Sequence, residues 1–199
     1  MGPRIPAIRQ TIRSRTITHA DRQRLRPIFT RISHAAEIKR FGKDLDEYRS
    51  ELFRKEYVPK VRPFPKVHEL FQRIHDDNKR IVLATSGKKA DTEYYVDLLK
   101  IGDLIDGCVS GDDAESSKPA PDIFAASLEK LGNISPADAV TVGDTRFDIE
   151  AAGKADLKTI AFLCGGTPES VLREAGAIAI YRDPADFLAH HDEIIKSKR

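Results

Sequence analysis

The chain has 199 residues, a formal net charge of +2 and 40% hydrophobic residues, which fits one ordinary domain with a small attachment and excludes two domains of full size. No apolar run approaches the roughly 18 to 20 residues that a membrane span requires, and the longest, Thr159 to Cys164, is strand-sized. The two cysteines, Cys108 and Cys164, show neither metal-ligand spacing nor a disulfide framework, so a soluble protein of the reducing cytoplasm, without a membrane partner, is expected.

Residues 1–31 hold eight arginines, no lysine and one acid, Asp21, for a local charge of +7, whereas all fifteen lysines lie at or after Lys39. This stretch reads as an atypical, poorly ordered leader. A nucleic-acid-binding arm is disfavoured because no aromatic residue precedes Phe29, and Pro3 and Pro6 interrupt any early amphipathic helix. No nucleic-acid partner is expected. From Asp44 to Tyr57, Leu45, Tyr48, Leu52 and Phe53 recur at helical spacing. After Pro59 and Pro63, a helix is predicted from Pro65 to about Asp77, with Val67, Leu70, Phe71 and Ile74 as its apolar stripe.

Five short apolar runs follow: Ile81 to Thr85, Cys108 to Ser110, Val140 to Val142, Thr159 to Leu163 and Ile178 to Tyr181. Between them, Pro121 to Leu131 is predicted as a helix that stops at Gly132. Thr167-Pro168 and Asp183-Pro184 each read as an N-cap followed by proline at the first helical position. Runs that are apolar throughout suit strands covered on both faces. The expected fold class is therefore α/β, a doubly wound, mostly parallel, Rossmann-like sheet.

In such a sheet ligands collect beyond the carboxyl ends of the strands, and three of those ends are polar. At Thr85-Ser86-Gly87 a hydroxyl and the backbone N–H groups of a small-residue turn suit a phosphate, although Thr85 and Ser86 also suit a plain helix cap. In Lys118-Pro119-Ala120-Pro121-Asp122 two prolines fix the backbone just after a lysine, whose ammonium can neutralise a phosphoryl group or a carboxylate. In Val142-Gly143-Asp144-Thr145-Arg146-Phe147-Asp148 two carboxylates four residues apart can face one side of a first helical turn and share Mg2+. The competing reading of this last turn is structural: Asp144 or Thr145 caps the helix and Asp148 favours its dipole.

Taken in order, Thr85, Lys118 and Gly143-Asp144 through Asp148, with Lys-Pro-x-Pro-Asp and Ala151-Ala152 around them, resemble the second, third and fourth motifs of the haloacid dehalogenase superfamily. Within it, the chain is most similar to the phosphoglycolate phosphatase and β-phosphoglucomutase-like group. The resemblance implies a Mg2+-dependent phosphatase of small phosphorylated metabolites. Thr85 would bind the transferring phosphoryl group, Lys118 would stabilise nucleophile and phosphate, Asp144 would ligate Mg2+ and Asp148 would support the metal site. It also implies that residues 32–62 are a remnant of a helical cap at the N-terminal side, and that residues 63–199 form the α/β core without its first strand.

The family's first motif, an Asp-x-Asp followed by Gly-Thr at the end of an apolar strand, is not found. The one Asp-x-Asp, Asp44-Leu45-Asp46, sits in a helical pattern, and Asp21 follows a stretch whose polar alternation does not suit a sheet centre. The attacking carboxylate is therefore expected to be missing and this chain to be inactive. The abrupt change in basic-residue usage suggests an incorrect start or a frameshift at the N-terminus. A non-catalytic, phosphate- or metal-binding remnant, or a subunit completed by a partner, is the alternative.

Overall fold

In the computed structural model, which describes residues 12–13, 51, 55–85, 87, 89–110 and 122–192, the five apolar runs become short parallel strands. Most of the expected leader and cap remnant lies outside the described residues, as do Asp21, Asp44 and Asp46. The chain divides into two units, Met1–Arg4 with Arg13–Arg62 and Ile5–Ile12 with Pro63–Arg199. In the first unit, the 3-10 turn Val58–Lys60 carries Pro59 near its start and ends on the buried Val61, whose N–H bonds the Val58 carbonyl at 3.1 Å. The two-residue strands β1 (Ile12–Arg13) and β2 (Arg62–Pro63) pair with each other.

The second unit alternates helix and strand: α1 (Val67–Asp76), β3 (Val82–Ala84), α2 (Lys89–Leu99), β4 (Gly107–Val109), α3 (Asp122–Lys130), β5 (Val140–Gly143), α4 (Arg146–Lys154), β6 (Lys158–Phe162), α5 (Glu169–Glu174), β7 (Ala179–Tyr181) and α6 (Pro184–Ala189). Strand β3 pairs in parallel with β4, Leu83 opposite Cys108. Strand β6 pairs in parallel with β5 and β7, placing Val142 opposite Ile160 and Ala161 opposite Ile180. Among the described residues no ladder joins β3 to β5.

The period of two along β6 explains the layers. Ile160 and Phe162 point to one face, where Leu70 of α1 and Phe187 of α6 cover them. Ala161 points to the other, against Ile149 of α4 and Leu172 of α5. A third cluster holds the two strand sets in one core, since Ala84 and Val109 pack with Ile123 and Phe124 of α3 and with Ala151 and Ala152 of α4. Helices on both faces of parallel strands make the fold the doubly wound α/β class read from the runs. No helix among the described residues is long and apolar enough to cross a membrane.

Polar contacts close the strand ends and edges. Asp106 receives the Ile81 N–H at 2.7 Å and Arg80 Nε at 3.0 Å; burial pushes its carboxyl up, but these two donors outweigh burial and hold it below its ordinary value. Lys130 Nζ donates to the Cys108 carbonyl at 2.9 Å, which covers the side of β4 turned away from β3. Helix α3 ends, as expected, before a left-handed Gly132, φ +83°. The Asp183-Pro184 start of α6 is also as read, with Asp183 Oδ1 accepting the Asp186 N–H at 2.9 Å.

The expected cap at Thr167 is a correction. Helix α5 begins after Pro168 with no side-chain cap, because the Thr167 hydroxyl instead donates at 2.6 Å to the buried carbonyl of Asp144, 23 residues earlier. A buried carbonyl, which water cannot reach, competes for the hydroxyl against a helix end that water can solvate.

Asp186 generates a pH dependence. The Arg182 guanidinium, 2.9 Å from one oxygen, and the Arg182 N–H, 2.9 Å from the other, hold its carboxyl at about 2 against an ordinary 3.8. A carboxyl depressed on folding stabilises the native state above its unfolded value, and the contribution is lost as pH falls through the folded value. Asp186→Asn should therefore lower the thermal midpoint at neutral pH and flatten its fall between about pH 4 and 2, as followed by circular dichroism melts across that range.

Candidate active site

Strand β3 delivers Thr85 at its carboxyl end. Its N–H bonds the Val109 carbonyl at 2.9 Å, which fixes the backbone, and the side chain is buried at 2% exposure. The Gly87 N–H donates to Thr85 Oγ1 at 3.0 Å. A hydroxyl that accepts on one side keeps its proton for a second acceptor, so this turn aims a donor. The Gly87 N–H, expected to be offered to phosphate, here orients the Thr85 hydroxyl. A Cβ at Gly87 would stand 3.2 Å from Oγ1, tighter than most such contacts, so the turn favours glycine. Ser86 and Lys118 lie outside the described residues. At the end of β4, Ser110 is buried as well.

Strand β5 delivers the acidic turn, and both carboxylates are buried, Asp144 at 5% and Asp148 at 4% exposure. Thr145 is the N-cap of α4. Its Oγ1 accepts the Asp148 N–H at 3.3 Å, while Asp148 Oδ2 reaches back to the Thr145 N–H at 3.1 Å, completing a capping box. The same Oδ2 accepts the Thr145 hydroxyl at 2.7 Å and the Asp144 N–H at 3.3 Å. Three donors on one carboxylate oxygen make a charge-assisted knot that sets the shape of the turn. Gly143 belongs to it, since a Cβ there would come within 2.5 Å of Asp148 Cβ.

The structural reading of this turn is therefore present in full: Thr145 caps and Asp148 closes the box. The capping box is made by Thr145 and Asp148, and Asp144 stands just before it. Among the described residues no three His, Cys, Asp or Glu side chains gather as a metal cluster. Ala84, the residue before Thr85, packs in the same core as Ala151 and Ala152 of the helix that follows Asp144.

Sequence reasoning missed a third element here, the β6–α5 turn. The 3-10 turn Leu163–Gly165 and a left-handed Gly166, φ 76°, bring the Gly165 backbone against the Asp144 side chain, and Thr167 binds the Asp144 carbonyl. The signal available was Gly165-Gly166-Thr167 directly after an apolar strand, the same kind of strand end that drew attention to Thr85 and Asp144.

Residues 9–162 match the haloacid dehalogenase-like hydrolase family, and the chain belongs to that family. It is 29% identical over 127 residues to a phosphoglycolate phosphatase of Aquifex aeolicus, covering 60% of this chain and 59% of that protein. It is 27% identical over 169 residues to a phosphorylated carbohydrates phosphatase of Thermotoga maritima, covering 82% and 76%. The crystal structure of a hydrolase from Pseudomonas syringae superposes with a TM-score of 0.69 at 27% identity, covering 85% of this chain and 76% of that one. Against the Aquifex protein the match thus spans less than two thirds of the relative's length.

The capping box generates a stability prediction. Thr145→Ala removes a cap and leaves a buried carboxylate short of one donor, so it should destabilise by about 1 to 2 kcal/mol. Thr145→Ser, which keeps the hydroxyl, should lose less than half of that. Urea denaturation of the two variants beside the parent chain measures both.

Proposed function

We propose that this chain is a Mg2+-dependent phosphatase core for small phosphorylated metabolites that holds phosphate and metal but, as this sequence stands, does not turn substrate over. The observation that supports it best is the Asp144 turn: a buried carboxylate just before a capped helix, at the end of a parallel strand, in a chain that belongs to a hydrolase family. The relatives named as phosphatases of phosphoglycolate and of phosphorylated carbohydrates suggest the substrate class.

The residues fit a magnesium ion. Mg2+ takes hard oxygen ligands, uses one or two carboxylates and keeps waters and substrate phosphate for the rest. Asp144 offers such an oxygen, and the cradle at Gly165, which a Cβ would fill, holds that side chain in place. Bound there, the ion would neutralise charge on the phosphoryl oxygens.

The chain's own groups have separable tasks in this reading. Thr85 donates its hydroxyl to a phosphoryl oxygen, with Gly87 fixing its direction. Ser86 adds a backbone donor and Lys118 a compact positive charge beside the phosphate. Asp144 would ligate the metal, and Asp148 keeps the Asp144 and Thr145 N–H groups in place. None of these groups replaces an in-line nucleophile. Transfer through an acyl phosphate needs a carboxylate opposite the leaving oxygen and an acid for the leaving alcohol, and the sequence has no Asp-x-Asp at the end of an apolar strand.

With para-nitrophenyl phosphate and Mg2+, the full chain should show no turnover above background. Calorimetric titration should nevertheless detect Mg2+ and inorganic phosphate, with Mg2+ binding abolished in Asp144→Ala. Robust turnover that Asp144→Ala removes would mean that another acid of this chain is the nucleophile and would overturn the inactive assignment.

A further inference from the structure

We infer that the β6–α5 turn, Gly165 to Thr167, is a positioning element for Asp144, acting on its side chain through Gly165 and on its carbonyl through Thr167. The inference rests on the reading of Asp144 as the metal ligand and deepens it by naming what aims that ligand.

Asp144 is held from three directions by groups that do not belong to its own strand. Its N–H donates to Asp148 Oδ2 at 3.3 Å. Its carbonyl accepts the Thr167 hydroxyl at 2.6 Å, a bond between two buried groups. Its Cβ, Cγ and Oδ2 lie against Gly165 so closely that a Cβ at residue 165 would collide with all three. With the peptide planes on both sides tied and one flank walled by backbone, the side chain has little rotational freedom left. A carboxylate held in advance needs no reordering when a cation arrives, and a displacement of about 1 Å is enough to spoil such a ligand.

The turn is rigid enough to do this. The Cys164 N–H bonds the Arg182 carbonyl at 2.9 Å, anchoring one side of the turn beside the end of β7. The Gly166 N–H bonds the Leu163 carbonyl at 2.7 Å, and the left-handed φ of Gly166 turns the chain towards Thr167. Pro168 then fixes the backbone immediately after the hydroxyl. Thr167 makes no cap for α5, so its side chain serves Asp144 and not its own helix.

The test uses the full-length chain and Mn2+ as the probe, with free Mn2+ read from its electron paramagnetic resonance signal. Asp144→Asn reports on the ligand itself. Thr167→Val should weaken Mn2+ binding at least tenfold, and Thr167→Ser should restore it to within about twofold of the parent, a rescue that mere packing at residue 167 would not give. Gly165→Ala should weaken it at least tenfold, whereas Gly153→Ala, at a glycine with open space around it, should leave it unchanged. Circular dichroism checks that each variant folds, and should Gly165→Ala fail to fold, the Val and Ser pair at residue 167 decides alone. Loss of Mn2+ in Asp144→Asn together with parental affinity in Thr167→Val overturns the positioning role and leaves the metal reading standing. No binding by the parent, or equal binding by Asp144→Asn, overturns both.

Discussion

The constraint on which the rest of this molecule depends is the burial of two carboxylates within one turn at the end of β5. Burying an anion is costly unless donors or a cation compensate it. For Asp148 the compensation is local and complete in kind: two N–H groups and a hydroxyl converge on one oxygen, and the arrangement also starts α4. That helix then carries Ala151 and Ala152 into the core shared with β3 and β4, and Ile149 into the core beneath α5. The acidic turn therefore organises both sides of the fold as well as the rim where chemistry is proposed.

Because the capping box uses Asp148, the two acids are not equivalent in the turn. Spacing alone made them interchangeable, four residues apart on one helical face. The hydrogen bonds separate them, Asp148 closing the capping box and Asp144 standing just before it, against Gly165. This division also explains why glycines sit at 143 and 165. Each lies where a Cβ would strike one of the acids, Asp148 from Gly143 and Asp144 from Gly165, so the backbone itself forms the walls of the turn.

The strands were legible in the sequence because burial on both faces leaves an unbroken apolar run, and each of the five runs contains its observed strand to within a residue or two. Helix α1 was legible for the complementary reason, a stripe at Val67 and Leu70 with charges opposite. Thr167 was misassigned because Thr-Pro is a good local start for a helix, while the acceptor that captures its hydroxyl lies 23 residues away, beyond the reach of any local pattern. Gly165 was passed over for the same reason, since its demand for a missing side chain comes from Asp144 and not from its own turn. Of the proposed site, Thr85 and Asp144 stand at strand ends, where the topology of a parallel sheet directs attention; the part that aims Asp144 was hidden because it is made of non-local contacts.

The ladder of β3 carries the proposed loss of activity back into the fold. Thr85 gives its N–H to Val109 of β4, so in a parallel pairing the backbone groups of the next residue inward, Ala84, face the other way. Ala84 is buried in the core that also holds α4, and buried backbone groups require partners. The edge of β3 opposite β4 therefore needs partners of its own, and among the described residues no ladder joins it to β5. An apolar strand there that ended in a carboxylate would satisfy that edge and, in the same stroke, set an acid beside Thr85. Completing the sheet beside β3 and completing the proposed active site would then be one requirement, met by a single segment of chain.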